Sequence, residues 1–90
     1  MDQQSAVDEL TYEKSILLAK VSANPFLTST TIMSDKMLRY NIYSINGTML
    51  EYGNTESSVE IGNRLKSGVY LLRLIDESNK AMQVIKLVKM

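Results

Sequence analysis

The chain has 90 residues, enough for one small domain, and 44% of them are hydrophobic while 22% are charged. This composition is typical of a globular domain and excludes a fully disordered chain. The 10 basic and 10 acidic residues cancel, so charge favours neither nucleic acid nor an anionic membrane as a partner. Cysteine and histidine are absent. Their absence excludes disulfides, thiolate metal sites and histidine-dependent catalytic triads.

The first part of the chain differs from the rest. No apolar run approaches the ~20 residues that span a bilayer, and residues 1–5 lack the basic and apolar regions of a secretory signal. We interpret residues 1–14 as an acidic, partly disordered linker and residues 15–90 as the folded domain. The linker is acidic through Asp2, Asp8, Glu9 and Glu13, against Lys14 alone. Weak apolar spacing leaves a helix over residues 6–18 as an alternative.

The remainder predicts seven short strands and no helix. Runs of β-branched and aromatic residues are separated by turn residues roughly every 8–12 positions, which is typical of an antiparallel sandwich. We therefore expect an all-β fold, a seven-stranded antiparallel immunoglobulin-like β-sandwich. The predicted strands cover residues 16–21, 28–33, 38–45, 48–52, 58–61, 69–75 and 82–88.

Asn46-Gly47 is the clearest local signal. It lies between the third and fourth predicted strands. Asn-Gly is the favoured pair for a two-residue type I′ hairpin turn, because both positions of that turn need positive φ. The sequence therefore predicts such a turn, with Gly47 at positive φ. The last two strands are expected to form a second hairpin through the polar loop 76–80.

Two further motifs predict local geometry. Pro25 fixes its own φ and favours an extended Asn24, so a corner is expected after the first strand. Phe26 is the only phenylalanine and is expected to plug one end of the sandwich. Gly68 is expected to adopt a backbone conformation closed to other residues. Tyr70 is expected to pack its ring while its hydroxyl stays in water.

The order of these motifs and their basic, apolar ending closely resemble the C-terminal sorting domain (type A) of the type IX secretion system. The resemblance runs from about Ile16 to Lys89. Ala23 stands where the family often has the first proline of a Pro-Asn-Pro-Phe element, so that match is partial. The matching positions are Asn24, Pro25, Phe26, Asn46, Gly47, Gly68 and Tyr70, with Lys86, Leu87, Val88 and Lys89 at the end.

The resemblance implies a non-catalytic signal, without a cofactor or metal, that directs an N-terminal cargo domain across the outer membrane of certain Gram-negative bacteria. It implies two partners, the outer-membrane translocon and a sortase-like peptidase that removes the domain by a cut in or before residues 1–14. The cargo would cross the periplasm and end at the cell surface or in the medium. In this family the chain end is needed for recognition by the translocon. That role carries over to Lys86, Leu87, Val88 and Lys89.

Several alternatives stay open from the residues alone. The terminal lysines are equally suited to protecting an edge strand from aggregation. A carbohydrate-binding or adhesive module would need an aromatic row on one sheet face, but the tyrosines fall in different predicted elements, which favours packing. An assembly subunit would exchange its terminal strand, and a homodimer is left open. The tyrosines are Tyr12, Tyr40, Tyr43, Tyr52 and Tyr70.

The carboxylates do not indicate an active site. A glycosidase needs two acids facing each other across a cleft, and a domain of this size lacks room for both a core and a cleft. The oxygen-rich stretch 76–79 lacks the spacing and glycine of a calcium loop, so a solvated turn is expected there. The acids considered are Glu51, Glu56, Glu60, Asp76 and Glu77.

Overall fold

The computed structural model describes residues 18–90. These residues form two antiparallel sheets, ordered β1-β2-β5 and β4-β3-β6-β7, and contain no helix. The predicted all-β sandwich of seven strands is confirmed. The predicted linker, and all of the alternative helix except Leu18, lie outside the described residues. The strands are β1 (Lys20–Ser22), β2 (Thr30–Met33), β3 (Arg39–Ser44), β4 (Met49–Asn54), β5 (Ser58–Ile61), β6 (Gly68–Asp76) and β7 (Ala81–Lys89).

Alternation along β6 shows how the sequence builds the sandwich. Tyr70, Leu72 and Leu74 point into the core, while Val69 and Leu71 are 43% and 40% exposed on the other face. Successive side chains of a strand point to opposite faces, so one apolar set can be buried. Each fully buried aliphatic side chain contributes roughly 2 kcal/mol of transfer free energy. The core consists of Leu18, Ala19, Phe26, Ile32, Leu38, Tyr40, Ile42, Ile61, Tyr70, Leu72, Leu74 and Leu87.

The first strand begins later than predicted. β1 starts at Lys20, whereas the sequence predicted a strand over residues 16–21. The N–H groups of Leu18 and Ala19 both donate to Oε1 of Gln83 on β7, at 2.9 and 3.3 Å. Leu18 and Ala19 are buried beside the opposite sheet instead of extending the ladder with β2. The prediction was therefore wrong for these two residues.

The β3–β4 hairpin has a three-residue loop, so the predicted two-residue type I′ turn was wrong. The N–H of Gly47 donates to the carbonyl of Ser44 at 3.0 Å, and the N–H of Ser44 donates to the carbonyl of Thr48 at 2.8 Å. Gly47 has a φ of +94°, as predicted, but Asn46 is not at positive φ. A type I turn followed by one left-handed glycine needs only that single positive φ. The side-chain oxygen of Asn46 accepts from the hydroxyls of Ser44 and Thr48, which holds the wider loop.

The predicted last hairpin is present, and its loop, residues 77–80, is one residue shorter than the predicted loop 76–80. Asp76 ends β6 and is buried. It accepts hydrogen bonds from the Lys36 ammonium at 3.0 Å, the Ser78 hydroxyl at 2.8 Å and the Asn79 side-chain amide at 3.0 Å. These donors, the Lys36 ammonium first, hold the pKa of Asp76 well below its usual range. This carboxylate therefore caps a turn, and residues 18–90 contain no cluster of metal-ligating side chains.

The C-terminal corner as candidate recognition site

The segment after β1 moves the chain from one sheet to the other. β1 belongs to the three-stranded sheet, but Phe26 forms a parallel bridge with Lys89 of the four-stranded sheet. The N–H of Phe26 donates to the carbonyl of Val88 at 2.9 Å, and the N–H of Met90 donates to the carbonyl of Phe26 at 2.8 Å. The corner predicted at Pro25 is this change of sheet. The Ser22–Ala23 and Asn24–Pro25 peptide bonds are both cis.

Asn24 binds the same edge of β7 through its side chain. Its Nδ2 donates to the carbonyl of Lys86 at 2.7 Å, and its Oδ1 accepts from the N–H of Val88 at 3.0 Å. The carboxamide thus acts like a peptide group of an adjacent strand. An ionised aspartate accepts only, so it cannot make both bonds. Residues 24–26 therefore cover the outer edge of β7 along its last residues.

Phe26 fills this end of the sandwich, as predicted. It is 2% exposed, and its ring lies against Gly62, which directly follows β5. A Cβ built on Gly62 would lie 2.9 Å from Cζ of Phe26, and Gly62 has a φ of +82°. Both facts require glycine at this position. Sequence reasoning did not single out Gly62, because its signal is only a glycine after a short strand.

The four predicted recognition residues have different surroundings. Leu87 is fully buried in the core, and Val88 is half-buried. The Nζ of Lys89 donates to the carbonyl of Gly62 at 2.8 Å and lies 5.7 Å from the centre of the Phe26 ring. Lys86 is exposed, and no group within residues 18–90 bonds to its ammonium. Lys89 thus anchors the strand end, whereas Lys86 offers its charge to the solvent.

We call residues 24–26, Gly62 and residues 86–90 together the C-terminal corner. The structure brings the predicted motif at residues 24–26 into direct contact with the predicted recognition residues, although more than 60 positions separate them in the sequence. Gly68 and Tyr70 lie next to the corner, since they pair with Lys89 and Leu87 across the ladder. Asn46 and Gly47 belong to the separate β3–β4 hairpin.

Tyr70 supports the corner from β6. Its ring is buried, as predicted, but its hydroxyl donates to the carbonyl of Lys66 at 2.6 Å instead of facing water. The loop before β6 folds back over the ring, in the manner of the tyrosine corner of immunoglobulin-like sandwiches. Gly68 has a φ of +157°, a conformation that side-chain-bearing residues rarely adopt, as expected. The Ser67 hydroxyl donates to the carbonyl of Met90 at 3.1 Å, which ties the same loop to the strand end.

A short polar network connects the corner to β4. Glu51 accepts from the N–H of Gly62 and from the hydroxyl of Tyr40, both at 3.3 Å. Burial and, next, the Glu51 carboxylate raise the pKa of Tyr40. The N–H of Gly62 thus donates to Glu51, and the carbonyl of Gly62 accepts from Lys89. Glu51 has a structural partner on each of its oxygens.

The four tyrosines within residues 18–90 do not form an aromatic row. Tyr40 and Tyr70 are buried in the core. Tyr43 is half-buried beneath the guanidinium of Arg73, which lies 5.2 Å from its ring centre and donates to its hydroxyl at 2.7 Å. Tyr52 is the exception to the packing interpretation, since it is 74% exposed. One exposed ring in the described range does not make a glycan platform.

The described residues thus form an immunoglobulin-like β-sandwich. In it, the segment after the first strand crosses to the other sheet and pairs with the end of the last strand. The family model described as the secretion system C-terminal sorting domain matches residues 20–89. The chain belongs to this family. Such a domain sorts the protein that carries it for export and interacts with a secretion machinery.

The fold is also similar to a solved structure. That structure is of PorZ, described as an essential bacterial surface component of the type IX secretion system of Porphyromonas gingivalis. The identity is 21% and the TM-score is 0.67, over 96% of this chain and 12% of that chain. At this identity the likeness shows a shared fold. No curated protein matches the chain, and residues 18–90 include no helix suited to crossing a membrane.

Proposed function

We propose that this domain is the export address of a larger cargo protein that leaves the cell through the type IX secretion system. The observation that carries the proposal is the family match over residues 20–89. The cargo, on the N-terminal side, passes through the periplasm and is captured by the outer-membrane translocon. It then reaches the cell surface or the medium. The domain itself catalyses nothing.

The geometry of the C-terminal corner supports recognition of a folded surface. The carbonyl of Lys86 accepts a hydrogen bond from Asn24, and the side chains of Asn24, Pro25 and Lys86 are exposed. Their backbone positions are held by the bonds between Asn24 and β7 and by burial of Leu87. A surface fixed before binding loses little conformational entropy when a partner engages it. We assign Lys86 the contact with an acidic or polar site on the translocon, and Leu87 and Lys89 the positioning of the strand.

A reporter fusion tests the export role. A reporter with a periplasmic signal peptide is joined to the N-terminus of this domain and expressed in a bacterium that has a type IX system. We expect the reporter at the cell surface or in the medium. The reporter without the domain, and the fusion in a strain that lacks the translocon, should remain in the periplasm. Retention of the fusion in the periplasm with a folded domain would show that the domain is not a sorting signal.

We also assign residues 1–14 as the linker in which, or before which, a sortase-like peptidase cuts. This stretch carries four acids and one lysine, and it precedes the residues packed on the sandwich. Mass spectrometry of the exported reporter should find a new C-terminus before residue 15. An exported reporter that keeps residues 18–90 would contradict cleavage without contradicting export.

A further inference from the structure

Among the described residues 18–90, nothing pairs with the outer edge of β7 along its first half. Residues 24–26 form hydrogen bonds with the carbonyl of Lys86 and with the N–H and the carbonyl of Val88. These three backbone groups therefore face away from β6. The β6–β7 ladder runs without a register shift. The peptide groups of Met82 and Val84 and the N–H of Lys86 therefore face outward as well. Within residues 18–90, no hydrogen bond reaches these outward groups.

This part of the edge lacks the features that usually prevent pairing with another chain. Residues 81–85 contain no charge, proline or glycine. Short strands, charges and bulges protect the other edges of a sandwich. Here β1 has three residues and β5 has four, while β4 has an irregular register with β3 and contains Glu51 and Gly53. The side chains of Met82 and Val84 are 40% and 36% exposed, which adds apolar surface beside the open backbone.

We propose that the open edge of β7 pairs with the same edge of a second copy of this chain, antiparallel about a two-fold axis at Val84. The open stretch is bounded by the 77–80 turn before Met82 and by Asn24 on the carbonyl of Lys86. Its centre is Val84. An isologous interface brings each residue opposite its symmetry mate across the axis. The four-stranded sheets of the two copies thereby become one continuous sheet.

This register is self-complementary. Val84 lies opposite Val84 of the second copy and exchanges both backbone hydrogen bonds with it, and Met82 lies opposite Lys86. No like charges face each other, and the formal net charge of the chain is zero at pH 7. Repulsion between copies therefore does not oppose association. The inference does not rest on the sorting role, and each can fail without the other.

Sedimentation of the 90-residue chain over a range of concentrations tests the proposal. We expect a monomer–dimer equilibrium for the unchanged chain. Val84→Lys and Val84→Glu each place like charges at the axis and should raise the dissociation constant about tenfold or more. An equimolar mixture of the two variants should restore the dimer, because Lys then faces Glu. That rescue also shows that both variants are folded.

Val69→Lys is the matched control. Val69 is similarly exposed on the same sheet face, at 43%, but it lies on β6 and not at the edge. This variant should dimerise like the unchanged chain. Three results would overturn the proposal: a chain that stays monomeric at all concentrations, a dimer unaffected by both Val84 variants, or loss of the dimer in Val69→Lys. The last result would indicate packing through the sheet face instead of strand pairing.

Discussion

The ammonium of Lys89 lies 2.8 Å from the carbonyl oxygen of Gly62, so the last strand is tied to the turn that follows β5. Lys89→Met keeps an unbranched side chain, one atom shorter, but loses this bond. We expect the free energy of unfolding to fall by about 1 kcal/mol, measured by chemical denaturation. Lys86→Met should change it by less than about 0.5 kcal/mol, because the Lys86 side chain is exposed. Equal effects of the two changes would contradict the anchoring role of Lys89.

Gly62 and Gly47 form a matched pair for a second prediction. Both have positive φ, but a Cβ on Gly62 meets Phe26 at 2.9 Å whereas a Cβ on Gly47 meets nothing within 4 Å. Gly47→Ala should cost about 1 kcal/mol of backbone strain. Gly62→Ala should cost about 2 kcal/mol more, because it adds overpacking against Phe26. Thermal unfolding of both variants measures the difference, and a similar cost for both would argue against close packing of Phe26 on Gly62.

Asn24 offers a prediction that is local to one amide. In Asn24→Ala the N–H of Val88 loses its acceptor, while the N–H of Leu87 keeps its place in the β6–β7 ladder. Hydrogen exchange followed by NMR should therefore accelerate at Val88 more than at Leu87. The stability loss should be about 1 kcal/mol. Unchanged exchange at Val88 would mean that the carboxamide does not cap this edge in solution.

Asp76 makes the stability of the domain sensitive to acid. Its pKa is lowered in the folded state, chiefly by the Lys36 ammonium. The stabilisation is therefore complete above the pKa of the unfolded chain, about 4, and is lost as the pH falls towards the lower folded value. Melting temperatures between pH 6 and pH 2 should fall more steeply for the unchanged chain than for Asp76→Asn. The matched variant Asp35→Asn, at an exposed position, should follow the unchanged chain; parallel curves for all three would contradict this prediction.

Runs of β-branched and aromatic residues separated by turn residues were sufficient to predict the sandwich. Residues 58–61 form a strand with the predicted bounds, and the strands of the last hairpin each extend one residue beyond the prediction at both ends. The start of the first strand was predicted too early, because the side chain of Gln83, on the other sheet, accepts hydrogen bonds from the N–H groups of Leu18 and Ala19. Such a partner has no local signal in the sequence.

The candidate site, like the fold, could be predicted from the sequence only in part. The resemblance singled out Asn24, Phe26, Lys86 and Lys89. It did not show that they are in contact, because the bonds that join them connect residues more than 60 positions apart in the sequence. It also did not separate the roles of the two lysines, which lie on opposite faces of β7 and of which only Lys89 reaches the carbonyl of Gly62. The Asn-Gly pair predicted positive φ at Gly47, whereas hydrogen bonds to the side chain of Asn46 selected the loop length.

The most direct test of the account is the export of a reporter that carries Lys86→Glu, compared with one that carries Lys20→Glu. Both lysines are exposed on edge strands, but Lys20 lies on β1 of the three-stranded sheet and is not part of the C-terminal corner. The measured quantity is the fraction of reporter at the cell surface or in the medium, with a melting curve for each variant. We expect Lys86→Glu to stop export without changing the melting temperature, and Lys20→Glu to be exported normally. Normal export of a well-folded Lys86→Glu domain would contradict the assignment of the C-terminal corner as the address.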